Sequence, residues 1–150
     1  MSSPFDFGIL LGLAYQAFTD ELRADLAARG FTDLGSAYGY VFRALADDTL
    51  RLSDLAKQLG MSNQGAAKII DEMHARGYVT RGPDPDDGRA KSLLLAPRGR
   101  AALAAARRFH AKYERELRAM SREGDVDVLR EQLERIVTNA GMEGAALRAL

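Results

Sequence analysis

Two short stretches hold the residue types best suited to chemistry. One is RGPDPDDGRAK, Arg81 to Lys91, with three acids, three bases, two prolines and two glycines. The other is SNQGAAKII, which begins at Ser62 and places Asn63, Gln64 and Lys68 on one outward face if it is helical. Asn and Gln amides can read adenine bidentately, and a Lys ammonium can reach guanine or a phosphate. In the first stretch, Arg89 near a loop tip could enter a narrow minor groove, which attracts a guanidinium. Asp87 lies two residues before Arg89, a spacing at which a turn lets the pair meet and sets the arginine's direction. The acids would then be loop architecture and not contact surface. Set against both ideas is plain solvated surface, where an ion pair adds almost nothing to stability.

The elements that must position these residues follow from periodicity. Leu11, Tyr15, Phe18, Leu22 and Leu26 form one face of a long helix that ends near Gly30. A second helix is expected over Leu34 to Ala46, with Ala37, Val41, Ala44 and Leu45 inward. In LSDLAKQLGM, Ser53 suits an N-cap and Gly60 a stop, with Leu55, Ala56 and Leu59 inward. Ser62 then caps a helix that Gly77 terminates, with Ala66, Ile69, Ile70 and Met73 inward. YVTR and KSLLLA read as two short strands joined by the acid-rich loop. Pro97 suits the first turn of a long helix whose apolar face is Leu103, Ala106, Phe109, Tyr113, Leu117 and Met120. Gly124 breaks it, and Val126, Leu129, Leu133, Ile136 and Ala140 form the face of a last helix. The expected fold is mostly α: a winged helix-turn-helix with a two-strand β-wing, flanked by long N- and C-terminal helices. Residues 1–150 are expected to form a single domain. Within it, 34–96 would be the winged lobe, and 5–30 with 97–148 the flanking helices.

Composition narrows the function classes. The 150 residues are neutral overall, with 21 Lys and Arg against 21 Asp and Glu, yet the charge is unevenly spread. Residues 1–49 balance at −4, residues 50–100 at +3 and residues 101–150 at +1. Local charge matters more to a nucleic-acid face than the total does, and the middle third is the basic one. Cysteine is absent, which excludes disulfides, thiolate zinc sites and thiol redox sensing. His74 and His110 have no neighbouring ligand pattern, so no metal or other cofactor is expected. No nucleophile elbow or phosphate loop is present, so an enzyme is not expected either. The apolar run in MSSPFDFGILLGLAY is too short to span a bilayer and lacks a positive leader, which suggests a cytoplasmic protein without a membrane partner. Arg107, Arg108, Lys112, Arg115 and Arg118, interleaved with Glu114 and Glu116, read as a salt-bridged helix face.

The run LAKQLGMSNQGAAKIIDEMHARGYVTRGPDPDDGRAKSLLLAPRGR resembles the multiple-antibiotic-resistance regulator (MarR) family of bacterial winged-helix repressors. IIDEMHARGYVTR, DPDDGRAK and PRGR carry the likeness. The resemblance implies a homodimer in which the terminal helices intertwine and two winged lobes straddle a pseudo-palindromic operator in double-stranded DNA. It places Asn63, Gln64 and Lys68 on the recognition helix and makes Asp87 and Arg89 the wing pair. Ser53 and Ser62 would meet phosphate near helix N-termini, and Arg81 and Lys91 complete the expected DNA-binding set. The chain departs from the pattern in two places. Asn63, Gly65, Ala66 and Ala67 stand where many members have a base or bulkier polar residues. Ala96 replaces the usual Thr or Ser before the long helix. Family members often bind small aromatic or phenolic effectors between the dimer helices and the DNA lobes. Tyr15, Phe18, Tyr38, Tyr40 and Arg43 would line such a pocket, or simply pack the core or the dimer interface.

The expected function is a ligand-responsive, homodimeric, sequence-specific repressor. The other readings are an effector-independent winged helix that organises DNA and a winged helix used for protein–protein contact.

Overall fold

The computed structural model describes residues 3–142. In chain order its elements are α1 (Phe7–Ala28), α2 (Tyr38–Ala44), α3 (Leu52–Leu59), α4 (Asn63–Ala75), β1 (Val79–Pro83), β2 (Lys91–Leu95), α5 (Pro97–Ala119) and α6 (Asp125–Asn139). They fall into two compact units, Met1–Thr32 and Asp33–Leu150. The end of the expected C-terminal helix, up to residue 148, lies outside the described residues.

In the first unit, α1 ends on Arg29, and Gly30 follows with φ +94°, a left-handed value that glycine adopts without a Cβ clash. The expected face divides along its length: Leu26 is buried and Phe18 and Leu22 are half-buried, whereas Leu11 and Tyr15 are exposed. Phe7, Ile9, Leu10 and Leu13 in the same early turns are exposed too.

The second unit is a helix-turn-helix closed by a hairpin. Leu55, Ala56 and Leu59 of α3 and Ala66, Ile70 and Met73 of α4 are buried, as their spacing predicts. Gly60, at φ +65°, makes the turn between the two helices. β1 and β2 pair antiparallel with Val79 opposite Leu95 and Pro83 opposite Lys91. Leu50 forms an isolated antiparallel bridge to Leu93, through hydrogen bonds of 3.2 and 2.7 Å. Gly99 in the first turn of α5 is required by packing. A Cβ there would lie 2.1 Å from the Tyr78 carbonyl oxygen, so the helix approaches the backbone just before β1 only because that atom is missing.

Three expectations give way. The second helix is shorter than Leu34 to Ala46, because Asp33 is bonded to Tyr78, Arg76 and Arg98, which holds the preceding chain out of helical conformation. Ser53 does not cap α3. The pairing of Leu50 keeps the chain extended through Arg51, so the helix starts at Leu52 with Arg51 at the cap position and Ser53 inside the first turn. Met120 is not inward: it ends α5 and is 79% exposed. The buried stripe of α5 is instead Gly99, Ala102, Ala105 and Phe109. On α6, Val126 is buried but Leu129, Leu133 and Ile136 are exposed. α5 and α6 are tied by Arg118 to Asp127 (2.7 Å) and Arg130 to Glu114 (2.6 Å).

Candidate nucleic-acid interface

Helix α4 is seated by its apolar side and capped as its sequence predicts. The Gly65 N–H donates to the Ser62 Oγ at 3.0 Å, satisfying one of the helix's orphan donors. Gly65 has a local role here, since a Cβ would sit 3.2 Å from that same oxygen and crowd the cap. Ala66, Ile70 and Met73 are fully buried, which fixes the helix's rotation and leaves Asn63, Gln64 and Lys68 exposed on the other face. Among the described residues, those three side chains make no hydrogen bond or ion pair within the chain. Asp71, one turn further on, accepts from Arg81 of β1 at 2.7 Å. That bond joins the hairpin to the exposed side of α4. It also gives Arg81, one of the expected DNA-binding residues, an intramolecular partner.

The loop between the strands is organised by Asp84, which the sequence reading missed. Its carboxylate is 7% exposed and accepts from Arg51 Nε (2.6 Å), the backbone N–H groups of Asp86 (2.8 Å) and Asp87 (3.1 Å), and Ser92 Oγ (3.3 Å). The Arg51 bond, with the two backbone donors, holds its pKa down at about 2 against an ordinary 3.8. A carboxylate bonded to backbone two and three residues later is the signature of an Asx turn, so DPDD contained the signal. Asp87 acts differently from the expected arginine partner. Its Oδ1 accepts from the Arg89 backbone N–H at 3.0 Å, and its carbonyl accepts from Ala90 N–H. The acid shapes the turn on which Arg89 stands, and the Arg89 guanidinium is in no ion pair among the described residues. Arg89 and Lys91 are both exposed. Ser53 is exposed as well, in a groove with Asp48, Arg51, Asp54, Asp84 and Asp86.

A second polar cluster fixes the far end of α4. The Tyr78 hydroxyl donates to Asp33 Oδ1, and Arg98 reaches Asp33 (3.1 Å) and the Arg76 carbonyl (2.5 Å), with its guanidinium 4.4 Å from the Tyr78 ring centre. The Tyr38 hydroxyl donates to Glu72 at 2.7 Å and accepts from Arg76 at 2.9 Å. Burial, reinforced by the carboxylate partners, pushes both tyrosines up to about 12, so they remain neutral donors. The Tyr78 bond, more than either arginine, draws Asp33 below its usual range.

Of the five residues expected to line an effector pocket, Tyr15 and Phe18 belong to the first unit and the other three to the second. Tyr38 is buried, edge-on to Phe42 and Tyr78. Tyr40 is half-buried, and Arg43 is exposed in a groove with Asp47, Asp48 and Gln58.

Comparisons with known proteins agree with this architecture. Residues 32–90, which hold α2 to α4 and the hairpin loop, match the model of the MarR family. FabT from Streptococcus pneumoniae, solved in complex with DNA, is 18% identical with a TM-score of 0.71, over 91% of this chain and 98% of that one. The transcriptional regulator PA3341 is 24% identical with a TM-score of 0.65, over 91% and 98%. MepR from S. aureus, bound to ethidium bromide, is 17% identical with a TM-score of 0.64, over 93% and 99%. No curated protein matches the sequence. Over residues 32–90 the chain is thus similar to the MarR family, and over most of its length it shares the fold of these solved structures.

Proposed function

We propose that the protein is a homodimeric, sequence-specific transcriptional regulator of MarR type, a repressor that a small effector releases from DNA. Each lobe would insert α4 into the major groove, with Asn63 and Gln64 facing base edges and Lys68 facing guanine or phosphate. Arg89 would enter the neighbouring minor groove from the wing. One observation supports this above the others. The uncommitted polar face of α4 and the wing are tied side by side by the 2.7 Å bond between Asp71 and Arg81.

The exposed apolar residues support the dimer. Phe7, Ile9 and Leu13 of α1 and Leu129, Leu133 and Ile136 of α6 face solvent in the single chain, and apolar groups on this scale mark interaction surfaces. Two lobes related by a two-fold axis would meet half-sites one helical turn apart, so the operator would be a pseudo-palindrome. An effector could act only by favouring a lobe spacing that misses those half-sites. A small aromatic or phenolic compound is the proposed class, by analogy with the MepR structure that holds ethidium bromide. On the second unit, Tyr40 and Arg43 are the proposed contacts, whereas Tyr38 has its hydroxyl committed to Glu72. No described helix is long and apolar enough to cross a membrane, and the proposed setting is the cytoplasm.

The absence of a side chain at Gly65 and the lone methyl of Ala67 on α4 favour a second reading, a DNA-organising protein without an effector that binds through phosphates and DNA shape. Sedimentation equilibrium at micromolar concentration tests the dimer: a two-chain mass is expected, and a one-chain mass would contradict it.

A further inference from the structure

We infer that Arg51 is a positioning residue for DNA recognition, acting as the latch that holds the wing tip in place through Asp84. The inference rests on the DNA-binding reading above and goes beyond it, because Arg51 lies before α3, outside both the recognition helix and the wing.

Three of the four donors around the Asp84 carboxylate belong to the hairpin itself: the N–H groups of Asp86 and Asp87 and the Ser92 hydroxyl. The Asp84 N–H donates to the Ala90 carbonyl at 3.0 Å and closes the loop. These bonds make the tip a self-contained turn that carries Arg89 on a fixed backbone. They say nothing about where that turn stands relative to α4. The fourth donor, Arg51 Nε at 2.6 Å, is the one that comes from outside the hairpin. It is also the residue after Leu50, whose bridge to Leu93 anchors the other strand. Leu50 and Arg51 together therefore hold the hairpin against the helix-turn-helix, one through backbone bonds and one through a side chain. Hairpins pivot readily about their base, and a small displacement at the base becomes a larger one at the tip. Losing the latch would leave Arg89 chemically unchanged and wrongly aimed. Arg51 is half-exposed, so a direct phosphate contact is the rival role.

Arg51→Met keeps the aliphatic stem and removes the donor. A selected operator duplex is titrated with wild type, Arg51→Met, Arg89→Ala and the double variant, at several salt concentrations and with hydroxyl-radical footprinting of the minor groove. Arg51→Met should bind several-fold more weakly and lose protection where the wing lies, while recognition-helix contacts persist. It should add little to the loss already caused by Arg89→Ala, because both act through one guanidinium. Its salt slope should match that of Arg89→Ala, and the double variant should be no shallower. A double-variant slope shallower by about one than that of Arg89→Ala, with additive losses, would make Arg51 a phosphate contact and overturn the latch. An unchanged footprint would overturn it too, while leaving the DNA-binding reading intact. Failure of the wild type to bind any duplex would bring down both. Should Arg51→Met not fold, Arg51→Gln is judged by the same outcomes.

Discussion

The wing and the recognition helix present side chains by opposite means. On α4 the backbone is held by its own hydrogen bonds and by three buried apolar residues, and Asn63, Gln64 and Lys68 have no bonding partner among the described residues. The loop of the wing buries no apolar side chain, so its shape depends on charged groups: Asp84 with four donors, one of them Arg51 from outside, and Asp87 with one. A regular element leaves its polar side chains free for a partner. An irregular loop must spend most of its polar groups on itself to present a single one. This answers why so acidic a segment would approach DNA: two of its three carboxylates, Asp84 and Asp87, shape the loop, and Arg89 is what they display.

That contrast can be broken from either side. The largest expected effect is Ile70→Ala, which removes a fully buried side chain from under α4 and should cost about 2–5 kcal/mol in chemical denaturation. Ser62→Ala removes the cap and should cost about 1 kcal/mol by the same measurement. The wing should respond to acid instead. The folded Asp84 carboxyl titrates at about 2, below its ordinary 3.8, so its contribution is complete above 3.8 and lost as pH falls through about 2. Asp84→Asn should remove that part of the acid dependence, which a stability series from pH 5 downwards would reveal. The smallest effect on folding belongs to Asn63→Ala and Gln64→Ala, within about 0.5 kcal/mol. Either variant should nonetheless lose about 1–3 kcal/mol of discrimination at one base position, read by competition between duplexes.

How much of this was legible in the sequence follows the same division. The seating of α4, its Ser62 cap and its outward residues were all readable, because helical period and capping are local. So was the hairpin, from β-branched and apolar runs around Pro83, Pro85 and Gly88. Asp84 was legible only as one acid among three, since its importance depends on Arg51, thirty-three positions earlier in the chain. Separations of 45 and 65 positions hid the Asp33, Tyr78 and Arg98 cluster, and with it the shortening of α2. Ser53 misled for a related reason: a cap is decided by where the preceding strand ends, and the Leu50 pairing with Leu93 cannot be seen from residues 50 to 60 alone.

Selection from a library of random duplex DNA, sequenced after binding at two salt concentrations, tests the central claim most directly. Enrichment of a pseudo-palindrome with half-sites one helical turn apart, persisting at the higher salt, is the predicted result. Salt-sensitive binding without enrichment, or no binding at the lower salt, would contradict a sequence-specific regulator.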